Sequence, residues 1–193
     1  MPRRFGLLVF DWDGTLMDSA GAIIASIQAS CRDLGLPVPE RERASHVIGL
    51  GLKDALAYAV PELPPSDYGR LAERYRFHYL ARDPDLELFP GMLEMLAGLK
   101  QKGYLLAVAT GKTRIGLDRV LEATQLKRYF DSSRCADETH SKPHPAMLQE
   151  LMRELLVEQE ATLMIGDTAH DLQMAENAGV PALAVSYGAH PRD

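Results

Sequence analysis

Two carboxylates separated by one residue follow the first apolar run of the sequence. Asp11 and Asp13 come directly after residues 5–10, Phe-Gly-Leu-Leu-Val-Phe, and Gly14 follows them. In an extended backbone alternate side chains project to the same side, so Asp11 and Asp13 are predicted to face one way. Gly14 permits a sharp turn away from that point. By itself the pattern is equally typical of an ordinary polar loop.

Further polar groups follow other apolar runs. Thr110 and Gly111 offer a hydroxyl and loop amides that can bind phosphate oxygens. Lys142 precedes a predicted helix, where its ammonium can neutralise a phosphoryl oxygen or a crowded carboxylate. Asp167 and Asp171 lie at a strand-to-helix turn. Each group has an ordinary alternative, namely a helix cap, a solvated lysine or a first-turn acid.

These side chains become informative if the fold brings them to one place. At least three carboxylates, a hydroxyl and an ammonium would then share the same end of a sheet, and the carboxylates would require a cation. Hard carboxylate oxygens without His or Cys ligands favour Mg²⁺. The set therefore predicts a Mg²⁺ site suited to phosphoryl transfer, which depends on in-line positioning and on compensation of negative charge.

An alternation of apolar runs and helical patterns would position these groups. Short apolar runs typical of buried parallel strands cover residues 5–10, 104–109, 162–165 and 181–185. Helical patterns cover residues 91–102, 114–125 and 143–156. The alternation predicts an α/β fold, a Rossmann-like parallel sheet with helices on both faces. Ligands bind such sheets just beyond the carboxyl ends of the strands, where the polar groups lie.

Residues 18–85 interrupt this alternation with helical patterns and no convincing strand. The first pattern ends at Gly35, and further helices are predicted over 52–59 and 66–82. We therefore predict a core domain of residues 1–17 and 86–193 and an inserted helical cap domain of residues 18–85. Hinges between the two are expected near 15–20 and 83–91.

Composition narrows the functional class. The chain has 193 residues, 46% hydrophobic content and a formal net charge of -6, with no basic cluster that would suit nucleic acid or an anionic membrane. No apolar stretch approaches the roughly 20 residues needed to span a bilayer. Cys31 and Cys135 are far apart and suggest neither a disulfide framework nor a zinc site. We expect a cytoplasmic protein, a monomer or homodimer, whose partner is a small phosphorylated metabolite.

The order of the motifs resembles that of the haloacid dehalogenase (HAD) superfamily, especially its phosphoglycolate phosphatase-like branch. The resemblance covers nearly the whole chain and implies the HAD fold with a mobile cap. It implies that Asp11 attacks phosphorus and forms an aspartyl phosphate, and that Asp13 transfers protons to the leaving oxygen and from water. Thr110 and Lys142 would hold the transferring group.

The same resemblance implies a set of Mg²⁺ ligands. These would be the Asp11 carboxylate, the Asp13 backbone carbonyl and Asp167, with Asp171 binding directly or orienting a metal-bound water. Position 111 is often Asn in relatives and is Gly here.

One cap segment is predicted to reach the substrate, because its glycines permit close approach of the backbone. Its candidate substrate-binding residues, together with Gly111 of the core, are Gly49, Leu50, Gly51 and Lys53. A plain turn between cap helices is an equally good interpretation. Lys53 is the only lysine in the cap, and phosphonate-cleaving relatives use a cap lysine to form a Schiff base.

The predicted function is Mg²⁺-dependent hydrolysis of a small phosphomonoester such as phosphoglycolate, a sugar phosphate or a nucleotide. Asp13 disfavours carbon-halogen hydrolysis, since dehalogenase relatives lack the paired acid. A sugar phosphomutase and a phosphonoacetaldehyde-type hydrolase of the same superfamily remain as alternatives. A non-catalytic phosphate-binding module is a further alternative from a different class.

Overall fold

A computed structural model describes residues 4–191 of the chain. Five parallel strands form one sheet in the order β3-β2-β1-β4-β5. Their bounds are Leu7–Phe10 (β1), Leu105–Thr110 (β2), Ser132–Cys135 (β3), Thr162–Gly166 (β4) and Ala182–Ala184 (β5). The predicted α/β fold with a parallel sheet is confirmed.

Eight α-helices accompany the sheet in the described part of the chain. Four lie in the insertion, at Ala20–Asp33 (α1), Arg41–His46 (α2), Leu52–Ala59 (α3) and Tyr68–Leu80 (α4). Four belong to the core, at Met92–Gln101 (α5), Arg114–Ala123 (α6), Ala146–Leu155 (α7) and Ala169–Ala178 (α8). None of the helices within residues 4–191 is long and apolar enough to cross a membrane.

The central strand β1 is buried on both faces. Leu7 and Val9 pack into one hydrophobic cluster, while Leu8 and Phe10 pack into another on the opposite face. This explains the continuous apolar run, because a parallel strand covered by helices on both sides has no polar face. Phe10 is aligned with Val108 of β2 and Ile165 of β4, so the polar residues that follow these strands share one edge.

The edge strand β3 lay outside the predicted strands. Its sequence Ser-Ser-Arg-Cys has no apolar run, and only Cys135 is fully buried. Arg134 instead forms ion pairs with Glu150 and Glu154 of α7, both at 2.7 Å. Helix α2 was not predicted, α8 was expected only from the strand-to-helix turn at Asp167 and Asp171 and without bounds, and α7 begins at Ala146 rather than at 143.

The insertion has a hydrophobic core of its own. Along α1 one face is apolar and buried, and it includes Ile24, Ile27 and Cys31. The two crossings between the insertion and the sheet run side by side: the backbone N–H of Asp18 donates to the carbonyl of Glu87 at 2.9 Å. We call residues 18–85 the cap.

Candidate active site

Asp11 lies at the carboxyl end of β1 and is completely buried. Its backbone N–H donates to the carbonyl of Ile165 on β4 at 2.9 Å, which fixes the point where β1 ends. The ammonium of Lys142 lies 2.6 Å from Asp11 Oδ1 and donates a hydrogen bond to Asp171 Oδ1 at 2.7 Å. Lys142 is itself 2% exposed, so it is a buried cation shared by two buried carboxylates.

Burial and charge act in opposite directions on these groups. Burial raises the pKa of Asp11 well above its usual value, and the nearby carboxylates of Asp171 and Asp167 raise it further, whereas Lys142 lowers it. Burial alone would lower the pKa of Lys142, but Asp11 and Asp171 outweigh it and keep that pKa above its usual value. The ammonium is therefore permanently charged and reduces the repulsion between the acids.

Asp167 follows β4 and is held by two donors. The Thr15 hydroxyl donates to Oδ1 at 2.8 Å, and the backbone N–H of Ala189 donates to Oδ2 at 2.7 Å. Burial raises the pKa of Asp167 to about 6, although the Ala189 hydrogen bond opposes this effect. Gly14 has φ +84°, and a Cβ there would lie 2.2 Å from Asp167 Oδ2, so both conformation and space require glycine.

Asp171 is engaged through both of its oxygens. Oδ1 accepts from Lys142, while Oδ2 accepts from the backbone N–H and the hydroxyl of Thr168 at 3.0 and 2.7 Å. Thr168 and Asp171 form a capping box at the start of α8. The helix cap is thus Thr168 and not Asp167, which leaves Asp167 directed at the site.

The acidic cluster suits a hard divalent cation. Asp11, Asp167 and Asp171 each offer a carboxylate oxygen, and these oxygens lie within 4.8 Å of one another. Asp11 Oδ1 lies 2.6 Å from the Lys142 ammonium, whereas the buried Oδ2 has no hydrogen-bond donor among the described residues. A buried acceptor without a donor is costly, and a cation would supply its missing partner. Asp11 and Asp167 fit this role better than Asp171, whose oxygens already have three donors.

Asp13 faces the cap rather than the acidic cluster. Its Oδ1 accepts from the Ser19 hydroxyl at 2.6 Å and lies 3.0 Å from the ammonium of Lys112. Lys112 also donates to the hydroxyl of Tyr79 on α4 at 2.9 Å. Asp13 is therefore connected through one lysine to a buried tyrosine of the cap.

Thr110 ends β2 and is completely buried. Its hydroxyl oxygen accepts from the backbone N–H of Lys112 at 3.2 Å. Within the described residues no hydrogen bond joins Thr110 to Asp11 or Lys142. The strand register nevertheless brings Thr110 to the same edge of the sheet as Asp11.

The glycine-rich cap segment lies against the core. The Gly51 backbone N–H donates to Ser141 Oγ at 2.8 Å, beside Lys142. A Cβ on Gly111 would lie 2.3 Å from the carbonyl oxygen of Leu50, and one on Gly49 would lie 3.1 Å from Thr168 Oγ1. Gly49, Leu50 and Gly111 also line the cavity between cap and core.

Lys53 is the one predicted site residue of this segment that the structure leaves outside. It lies one residue into α3, is exposed, and is absent from the cavity wall formed by the described residues. The rotation of the helix places Leu52 towards the cavity and Lys53 towards solvent.

Sequence reasoning missed the segment that follows β5. Besides Ala189, its Tyr187 donates to the carbonyl of Thr15 at 3.0 Å, and the Ser45 hydroxyl of the cap donates to the carbonyl of Ala189 at 2.7 Å. His190 stacks on His46 of the cap with ring centroids 5.3 Å apart. No periodicity or local spacing signals these contacts. By contrast, the spacing of Thr168 and Asp171 is a recognisable capping signal.

Comparison with known proteins identifies the family. A family model described as "Haloacid dehalogenase-like hydrolase" matches residues 8–185. "Probable phosphatase IndB" of Dickeya dadantii is 39% identical over 193 residues, which cover 97% of this chain and 84% of the relative. A "Phosphoglycolate phosphatase" of Agrobacterium fabrum is 34% identical over 94% of this chain and 81% of its own length. The chain belongs to the haloacid dehalogenase-like hydrolases.

Solved structures agree with this assignment. A crystal structure described as "a predicted phosphoglycolate phosphatase from haemophilus somnus 129pt" matches with a TM-score of 0.85 and 26% sequence identity. The match covers 99% of this chain and 89% of that one. It therefore includes the cap as well as the sheet domain.

Proposed function

We propose that this chain is a phosphatase that hydrolyses a small phosphomonoester with Mg²⁺ through an aspartyl-phosphate intermediate. The observation that carries the proposal is the environment of Asp11. This carboxylate is buried, its Oδ1 lies 2.6 Å from the buried ammonium of Lys142, and its Oδ2 has no hydrogen-bond donor among the described residues. Phosphatases among its relatives, matched over 97% and 94% of this chain, support the reaction class.

Each side chain has a role in this proposal. Asp11 attacks phosphorus, and the leaving alcohol departs as the bond between phosphorus and the ester oxygen breaks. Asp13 gives that oxygen a proton and later takes one from the water that hydrolyses the aspartyl phosphate. Lys142 and Thr110 hold the oxygens of the transferring group.

Mg²⁺ would be held by Asp11 and Asp167, with the Asp13 carbonyl and Asp171 completing or orienting its shell. The cation would offset the negative charge of the phosphoryl group as it meets the buried carboxylates. Asp171 acts on the site in a second way, because it fixes the position of Lys142 at 2.7 Å.

The structure gives less support to the other members of this superfamily that the sequence left open. The exposed position of Lys53 offers no cap lysine for a Schiff base at the site, which disfavours phosphonate cleavage. Hydrolysis and mutase chemistry share the same carboxylates, so release of inorganic phosphate distinguishes them. A non-catalytic module would bind phosphate esters without releasing phosphate.

The test is release of inorganic phosphate from a panel of phosphomonoesters, with Mg²⁺ or with chelator. We expect turnover that requires Mg²⁺ and that falls by at least ~10³-fold in Asp11→Asn, because an amide cannot form the acyl phosphate. Asp118→Asn is the matched control, since Asp118 is an exposed carboxylate on α6 in an ion pair with Arg114. Equal turnover in Asp11→Asn and the native chain would contradict the proposal.

A further inference from the structure

A cavity of about 450 Å³ lies between the cap and the core, and Asp13 forms part of its wall. Because Asp13 is the proposed proton donor to the leaving oxygen, the cavity begins where the leaving alcohol departs. Protein cavities of roughly 300–1,000 Å³ typically hold ligands much larger than a two-carbon acid. The space is therefore oversized for the glycolate portion of phosphoglycolate.

The cap contributes mostly aliphatic side chains to this cavity. Ile23 and Ile27 of α1, Val47, and Leu52 and Ala55 of α3 line it, and Ile115 of α6 lies on the core side. All of these named cap residues except Leu52 are buried, at 8% exposure or less, and belong to the hydrophobic core of the cap. Aliphatic walls give a charged group no compensation for lost water, whereas they favour an apolar one.

Two of the cations that line the cavity, Lys112 and Arg119, are already paired with carboxylates. Lys112 lies 3.0 Å from Asp13, and Arg119 lies 2.8 Å from Asp83. Arg76 also lines the cavity, but its side chain is exposed at the rim. A carboxylate close to the ester oxygen would therefore have to compete with Asp13 for Lys112. Because Lys112 is already paired with Asp13, the charges near the ester oxygen favour a neutral leaving group, as the aliphatic side chains of the cap do.

From this combination we infer that the substrate is the phosphomonoester of a bulky, largely apolar alcohol, with its hydrocarbon portion in the cavity between α1, α3 and α6. The inference rests on the proposed phosphatase function and names the class of its substrate. Phosphoglycolate, which the Agrobacterium fabrum relative is named for, is then a poor substrate of this chain.

The experiment compares kcat/KM for ethyl, n-butyl and cyclohexylmethyl phosphate and for phosphoglycolate, with Mg²⁺ present. The three alkyl esters differ mainly in the size of the apolar group, and burying each methylene favours binding by up to about 4-fold. We expect kcat/KM to rise at least ~10-fold from ethyl to cyclohexylmethyl phosphate. Phosphoglycolate should be used less well than n-butyl phosphate.

A variant that fills the cavity tests the location. Leu52→Trp places a larger side chain in the wall, and Leu52 is partly exposed at the start of α3, so the cap can accommodate the change. The ratio of kcat/KM for cyclohexylmethyl to ethyl phosphate should fall at least ~10-fold. Leu93→Trp is the matched control, because Leu93 is 41% exposed on α5 and does not line the cavity.

The outcomes separate this inference from the function on which it rests. Phosphate release that requires Asp11 but is fastest with phosphoglycolate or ethyl phosphate would overturn the inference and leave the phosphatase in place. An unchanged substrate ratio in Leu52→Trp would also overturn it. No Asp11-dependent phosphate release from any ester would instead overturn the proposed function.

Discussion

At the scale of single residues, Lys142 is the most constrained side chain of the site. It is a buried ammonium within 2.7 Å of two buried carboxylates, Asp11 and Asp171. Removal of one member of a buried charge group leaves the others without compensation, which is far more costly than loss of a surface ion pair. Lys142 is therefore expected to contribute to stability as well as to the proposed binding of a phosphoryl group.

We predict that Lys142→Met lowers the free energy of unfolding by about 3 kcal/mol at pH 7.5 in the presence of chelator. The deficit should shrink at pH 5. Lys142 lowers the pKa of Asp11 in the folded state, so without the lysine this pKa rises further above its unfolded value near ~3.9. A carboxyl group with a raised folded-state pKa destabilises the fold once it is ionised, that is, as pH rises through the folded-state pKa. At pH 5 a larger fraction of Asp11 is protonated than at pH 7.5, so the loss of stability is smaller. Urea unfolding at the two pH values measures both effects.

Lys100→Met is the matched control for this prediction. Lys100 pairs with Asp131 at the same distance of 2.7 Å, but the two side chains are 29% and 28% exposed. Its loss should cost no more than about 1 kcal/mol, because solvent screens the pair. Equal destabilisation by the two substitutions would refute the special role of burial at Lys142.

At the scale of secondary-structure elements, the cap segment from Gly49 to Gly51 closely approaches the loop after β2. Gly111 has no positive φ, so its backbone does not require glycine. Space requires it instead, because a Cβ would lie 2.3 Å from the carbonyl oxygen of Leu50. A residue with a side chain at position 111 must displace the cap from the position described here.

We predict that Gly111→Ala lowers kcat/KM by about 10-fold or more, because a displacement of ~1 Å near reacting groups is enough to reduce turnover strongly. Steady-state phosphate release measures the effect, and the melting temperature verifies that the variant folds. Gly98→Ala serves as the control, since a Cβ there would meet nothing within 4 Å beyond its chain neighbours and its own helix backbone, and helix α5 gains a better helix former. Native kcat/KM in Gly111→Ala would mean that turnover does not need this cap position.

At the scale of the whole molecule, three segments distant in sequence meet around Asp167. The loop after β1 contributes Thr15, the segment after β5 contributes Ala189, and the cap contributes Ser45, which bonds to Ala189. A cation held by Asp11 and Asp167 would thus join strands β1 and β4 directly and the cap indirectly. Metal binding is expected to stabilise the complete fold.

We predict that saturating Mg²⁺ raises the melting temperature relative to chelator. A ligand at 100 times its Kd adds about 2.7 kcal/mol to the native state, which corresponds to roughly 5–10 °C for a chain of this size. Differential scanning calorimetry with Mg²⁺ and with chelator measures the shift. Asp167→Asn should abolish most of it, and a full shift in that variant would exclude Asp167 as a ligand.

Local sequence determined the parallel sheet and indicated the candidate acids. An apolar run followed by Asp11 indicates where a buried strand ends, and the parallel sheet then brings the ends of β1, β2 and β4 to one edge. The segment from Gly49 to Gly51 was likewise predicted to approach the site from its glycines, and Gly51 donates to Ser141 there. These features depend on strand periodicity, turn chemistry and residue type, which nearby sequence carries.

The tertiary structure alone decided how these groups are paired. Thr15 meets Asp167 across 152 positions of sequence, and Lys112 reaches both Asp13 of the core and Tyr79 of the cap. No local pattern encodes such pairs, because they depend on how separately formed elements pack. The same reason explains why the polar edge strand β3 was missed and why Lys53 faces solvent while Leu52 lines the cavity. Helix rotation and packing set these outcomes.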